Sequence, residues 1–143
     1  MCSYVRSRVP VERIKTVMAA LLSLAAVCLS GCRPADEGAV AAQAAKVYYE
    51  TLLSGGYETF VDGFHRSDSI PASYRSQLID NAKMFIYQQK MEHGGISEVQ
   101  PNGATLSASG SEADAVLVFM FGNGGSEQVV VPMVLHDDVW YMR

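Results

Sequence analysis

The sequence predicts an α+β domain in which helices come first and a four-stranded antiparallel sheet follows. Three observations carry this. Apolar residues recur at spacings of three and four as far as about residue 91. Beyond Gly95 the period falls to two, and β-branched and aromatic residues dominate. The segments after that point are joined by connections short enough only for hairpins, which excludes alternating βαβ units.

The chain opens on a different object. Arg6, Arg8, Arg13 and Lys15 precede an apolar run from Val17 to Leu29 that only Ser23 interrupts, and Leu29-Ser30-Gly31-Cys32 follows at once. A basic start, a short apolar run and small residues are the pattern of a secretory signal. The run is shorter than the roughly 20 residues a helix needs to cross a bilayer. Leu29-Ser30-Gly31-Cys32 looks like the lipobox of bacterial lipoproteins, in which the cysteine thiol receives a diacylglycerol. Two acyl chains anchor a protein stably where one barely does.

The expected organisation is therefore a lipoprotein signal peptide over residues 1–31, a lipidated Cys32 with a polar tether over residues 32–38, and a domain over residues 39–143. The competing readings are a secreted protein with a free thiol and a short uncleaved anchor. Cys2 and Cys28 leave with the signal, so the mature chain keeps Cys32 alone and forms no internal disulfide. Arg33 rather than aspartate follows the cysteine, which by resemblance to diderm sorting permits transport to the outer membrane.

From Ala39 to Leu53, the residues Val40, Ala44, Val47, Tyr48 and Leu52 form one face of an amphipathic helix that Gly55-Gly56 stops. Tyr57 to Phe64 reads as a two-turn helix with Phe60, Val61 and Phe64 on one side. Pro71 suits the first turn of a longer helix running to about Met91, capped by Asp68 or Ser69. The inner face of this helix is Tyr74, Leu78, Ala82, Phe85, Ile86 and Gln89, and Gly94-Gly95 ends it.

Four strands follow. The first runs from Ile96 to Gln100 and past a Pro101-Asn102-Gly103 turn into Leu106; the others are Ala113 to Phe121, Ser126 to Leu135 and Val139 to Met142. Asn123-Gly124 and Asp137-Asp138 make the hairpin turns. In the second strand both faces are apolar, Leu117 and Phe119 on one and Val116, Val118 and Met120 on the other. A homodimer through the sheet, or an envelope partner, is the expected cover for the second face.

With these elements placed, the segments Tyr48-Tyr49-Glu50, Gly56-Tyr57-Glu58-Thr59-Phe60-Val61, Ile70-Pro71-Ala72-Ser73-Tyr74-Arg75, His93-Gly94-Gly95-Ile96 and Trp140-Tyr141-Met142-Arg143 together resemble DUF4878-type lipoproteins of Bacteroides-like bacteria. The resemblance covers nearly all of residues 39–143. It implies an NTF2-like, also called cystatin-like, fold, in which a curved antiparallel sheet wraps around a long helix behind a lipobox. The family has no established activity, so Cys32, the lipidation site, is the only residue to which it assigns a role.

The charge balance narrows the partners. From Cys32 onward there are seven basic and fourteen acidic residues, which excludes nucleic acid. No cofactor is expected: Gly122-Asn123-Gly124-Gly125 lacks the lysine and helix of a phosphate loop. No metal is expected either, because His65, His93 and His136 lie far apart with no His or Cys two to four residues on.

An NTF2-like cone has a mouth between helices and concave sheet, and some relatives of that fold enolise substrates there. Asp62 or Asp68 as base, with His65, Tyr49 and Tyr57 nearby, would supply an isomerase or dehydratase. The bland reading makes these surface and capping groups. Tyr48, Phe60, Phe64, Phe85, Phe119 and Trp140 either line a pocket for a small apolar ligand or fill the cone. The expectation is a lipid-anchored envelope protein with a non-enzymatic binding role; the alternative is the isomerase-like enzyme.

Overall fold

A computed structural model describes residues 36–143. The expected signal peptide, Cys32 and most of the expected tether lie outside the described residues. Three helices, α1 (Glu37–Leu53), α2 (Tyr57–Asp62) and α3 (Ala72–His93), precede four strands, β1 (Ile96–Leu106), β2 (Glu112–Phe121), β3 (Ser126–His136) and β4 (Val139–Met142). The strands form one antiparallel sheet in the order β1-β2-β3-β4, the expected meander.

The α1 helix begins earlier than the sequence suggests. Asp36, assigned above to the tether, is its N-cap, and the carboxylate accepts a 3.1 Å hydrogen bond from the Gly38 amide. The buried face also differs from the expected one. Ala41, Ala42, Ala45 and Leu52 are at most 1% exposed, whereas Val40 and Val47 are 46% and 51% exposed. The reason is the distance of approach. A β-carbon on Gly38 would stand 2.9 Å from the Ala104 carbonyl oxygen, so α1 meets the sheet on its smallest side chains. The valines, too large for that seam, turn outward.

The α3 helix has no side-chain cap. Pro71 occupies the N-cap position, and neither Asp68 nor Ser69 bonds to the free amides. Its C-terminus is closed by Gly94 in the left-handed conformation at φ 76°. Gly122 and Asn123 donate to the Gly95 and His93 carbonyls at 2.9 Å each, which ties the end of α3 to the β2–β3 turn. The His93 ring stacks on Phe121 with centroids 4.4 Å apart.

The curvature of the sheet originates in β1. The expected Pro101-Asn102-Gly103 turn is instead a bulge within one strand: Pro101 pairs with Leu117 and Ala104 with Ala115, so β1 spends one residue more than β2. Gly103 adopts φ 83° there. A second extra residue lies between Ile96 and Glu98, where the Ser97 hydroxyl donates to the Met120 carbonyl at 2.9 Å. β1 is an edge strand, where Pro101 deprives the ladder of nothing. Pro132 is tolerated in β3 because it lies just past the last β4 pair, where its carbonyl accepts from the Arg143 amide at 2.9 Å.

The core lies between α1 and one sheet face. Leu117, Val99, Met133 and Met142 are at most 1% exposed, and each such side chain contributes about 1.5–3 kcal/mol on burial. The opposite face carries half-buried Val116, Val118 and Met120 beside Val130, which is 56% exposed. None of these four joins the core cluster. Among the described residues, no helix is long and apolar enough to cross a membrane.

Candidate functional site

The candidate site is a cavity of about 520 Å³, within the roughly 300–1,000 Å³ typical of ligand sites. Tyr49 and Leu52 reach it from α1, Phe60 and Val61 from α2. Leu78, Ala82 and Phe85 form its α3 wall, with Tyr74 and Asn81 beside them. Phe64, His65 and Arg66 follow α2, and Arg143 follows β4.

A parallel bridge brings the last two groups together. The Met142 amide donates to the Gly63 carbonyl at 2.9 Å, and the His65 amide donates to the Met142 carbonyl at 2.7 Å. The segment after α2 therefore runs along the end of β4.

The cavity lies among the helices, not over the concave sheet as the cone picture suggests. Of the six aromatic residues singled out, Phe60, Phe64 and Phe85 line it. Phe119 and Trp140 do not; at 3% and 7% exposure they belong to the core. Tyr48 packs away from it, its hydroxyl donating to the Trp140 carbonyl at 3.0 Å. The physical cause is Tyr49, whose ring lies 5.1 Å from Phe119 and 5.4 Å from Phe60. It fills the space above the sheet and moves the opening outward.

The polar groups divide in the same way. Tyr49 and His65 line the cavity, whereas Asp62, Asp68 and Tyr57 do not. Asp62 forms a two-pronged ion pair with Arg75, at 3.0 and 2.7 Å. The hydrogen bonds from Arg75 hold its carboxyl below the ordinary carboxylate value. A general base for neutral pH needs the opposite shift. Asp68 is exposed. Burial raises the Tyr49 phenol above its ordinary value, so its hydroxyl stays protonated as a donor.

Sequence reasoning did not single out Arg66 and Arg143, because a cation in a surface segment carries no spacing signal. The Arg66 guanidinium donates to the Val61 carbonyl at 2.9 Å and lies 5.8 Å above the Phe64 ring. Arg143 pairs with Glu112 at 2.7 Å. His65 and His136, 71 positions apart in sequence, have ring centroids 4.8 Å apart. Among the described residues no group of three His, Cys, Asp or Glu is placed to hold a metal ion.

No protein-family profile matches the chain, and no curated protein matches it. Among solved structures it is similar to a Campylobacter jejuni protein described as a candidate NTF2-like transpeptidase. The TM-score is 0.55 at 16% identity, and the match covers 68% of this chain and 92% of that one. With the helices leading, the curved meander following and this structural likeness, the chain has the NTF2-like α+β fold.

Proposed function

We propose that the protein is a lipid-anchored component of the bacterial cell envelope, of the DUF4878 type, whose NTF2-like domain binds a small, largely apolar ligand without transforming it. The observation that carries the binding role is the cavity, walled by Leu52, Phe60, Val61, Phe64, Leu78 and Phe85 and lined by no Asp or Glu side chain. Apolar walls supply affinity by removing ligand surface from water, and a few polar groups orient what enters. The anchoring role rests on the basic start, the apolar run and Leu29-Ser30-Gly31-Cys32. Arg33 after the cysteine favours the outer membrane.

An isomerase or dehydratase is the weaker reading, since Asp62 and Asp68 lie outside the cavity and Asp62 is committed to Arg75. The transpeptidase description of the Campylobacter jejuni neighbour does not carry over either. Covalent acyl transfer needs an activated nucleophile, yet residues 36–143 contain no cysteine, and neither serine nor threonine lines the cavity.

Native mass spectrometry of the full chain extracted from its own membrane, followed by denaturation, tests the binding role. The expected result is a co-purified small molecule, released on unfolding and absent from a chain whose cavity is filled by Ala82→Trp. A chain that emerges empty, and that takes up no apolar probe, overturns it. Metabolic labelling with a fatty acid tests the anchor: label on the wild-type chain and none on Cys32→Ser is expected, and equal labelling of both would refute the assignment.

A further inference from the structure

We infer that the ligand is a single-chain amphiphile with an anionic head group, its tail among the cavity's aromatic and aliphatic side chains and its head against Arg66. The inference rests on the binding role proposed above and names the chemistry of what is bound.

Its basis is a segregation of charge. From residue 36 onward the chain has fourteen Asp and Glu but only six cations, Lys46, Arg66, Arg75, Lys83, Lys90 and Arg143. Arg66 lines the cavity and none of the fourteen Asp and Glu side chains does. A domain with such an acidic surface repels free anions, so a cation at an opening without carboxylate side chains reverses that locally.

The Arg66 guanidinium also has donors to spare. Arg66 uses one N–H on the Val61 carbonyl and forms no ion pair among the described residues. Arg143 takes no part, because its guanidinium is held by Glu112 at 2.7 Å, beside Asp114, on the sheet face opposite the core. A guanidinium carries five N–H donors in a planar fork suited to carboxylate and phosphate oxygens. His65 lies on the same lip, held there by the bridge to Met142. The rest of the lining is mainly apolar. An inorganic anion would waste those walls, and a plain hydrocarbon would strand the Arg66 cation against it, so a molecule with both parts fits where neither alone does.

Equilibrium dialysis of the full chain in phosphatidylcholine nanodiscs, with empty discs as the blank, tests this with four probes of equal tail length: decanoate, decyl phosphate, 1-decanol and decyltrimethylammonium. The anionic probes should bind at least about tenfold more tightly than decanol, as expected for a charge-assisted contact, and the cationic probe least. Arg66→Gln should abolish the preference over decanol, with an unchanged urea midpoint certifying the fold. Arg143→Gln, which loses only the pair with Glu112, should keep the preference.

Stronger binding of decyl phosphate than decanoate assigns a phosphate head, and the reverse a carboxylate. Equal binding of decanol and both anions overturns the head-group inference and leaves the apolar cavity standing. Failure of all four to bind overturns the proposed binding role as well. Anion preference that survives Arg66→Gln overturns the placement of the head.

Discussion

The Tyr48 ring occupies the space where a β-carbon on Gly63 would stand, so α1 and the end of α2 meet with no room for a methyl group. From the same side chain the hydroxyl reaches the Trp140 carbonyl at 3.0 Å. One tyrosine thus holds together α1, the turn after α2 and the last strand, the elements whose junction shapes the cavity.

Gly63→Ala should destabilise the domain by about 1–3 kcal/mol, the usual cost of overpacking. Gly63 has φ −73°, so the loss comes from crowding alone. Tyr48→Phe, which keeps the ring and removes the hydrogen bond, should cost about 0.5–1.5 kcal/mol. Urea denaturation with an unchanged m-value checks both.

The seam between α1 and the sheet separates spacing from packing. Ala45→Leu, at a position 0% exposed, should cost about 1–3 kcal/mol by overpacking. Val47→Ala, on the face that spacing marks as inner, should change stability by no more than about 0.5 kcal/mol. Thermal melts of the two variants side by side test this, and the reverse order would contradict the seating of α1.

The β3–β4 hairpin has Asp137 and Asp138 at φ 47° and 61°. Both central residues of such a two-residue turn need the left-handed region, and the second favours glycine. Asp138→Gly should therefore stabilise the domain by about 0.5–1 kcal/mol, the cost relieved when a non-glycine leaves that region. A raised urea midpoint is the expected reading.

Asp62 supplies a pH test. Its carboxyl is held below the ordinary value by hydrogen bonds from Arg75, so the unfolded chain binds the proton more readily than the folded one. The stabilisation is then fully present above the unfolded pKa and is lost as pH falls through the lowered folded pKa. Wild type and Asp62→Asn should differ by a small, salt-sensitive amount at neutral pH, since the carboxylate is 56% exposed. Their melting temperatures should converge in strong acid. Ligand affinity should be the same in both, because Asp62 does not line the cavity.

The order of elements was readable from periodicity because each depends on local chemistry. Gly55 and Gly94 end helices, Asn123-Gly124 and Asp137-Asp138 turn strands, and alternation from Ala113 to Phe121 gives a sheet face. Val139 to Met142 falls where the spacing places it.

Which apolar residues face the core, and where the opening lies, were decided only in three dimensions. Spacing shows that α1 has an apolar side, but Val40-Ala44-Val47 and Ala41-Ala42-Ala45 both qualify; only the close approach of Gly38 to Ala104 selects the alanines. Type marks Phe60 and Phe119 as equals, yet Tyr49 between them assigns one to the cavity and the other to the core. His65 and Met142 are 77 positions apart and come together through the hydrogen bonds of Gly63 and His65 to Met142. Local sequence determines what each segment becomes, because capping, turn geometry and side-chain period act within a few residues. The site depends on how segments exclude one another from the same volume, and only the packed chain determines that.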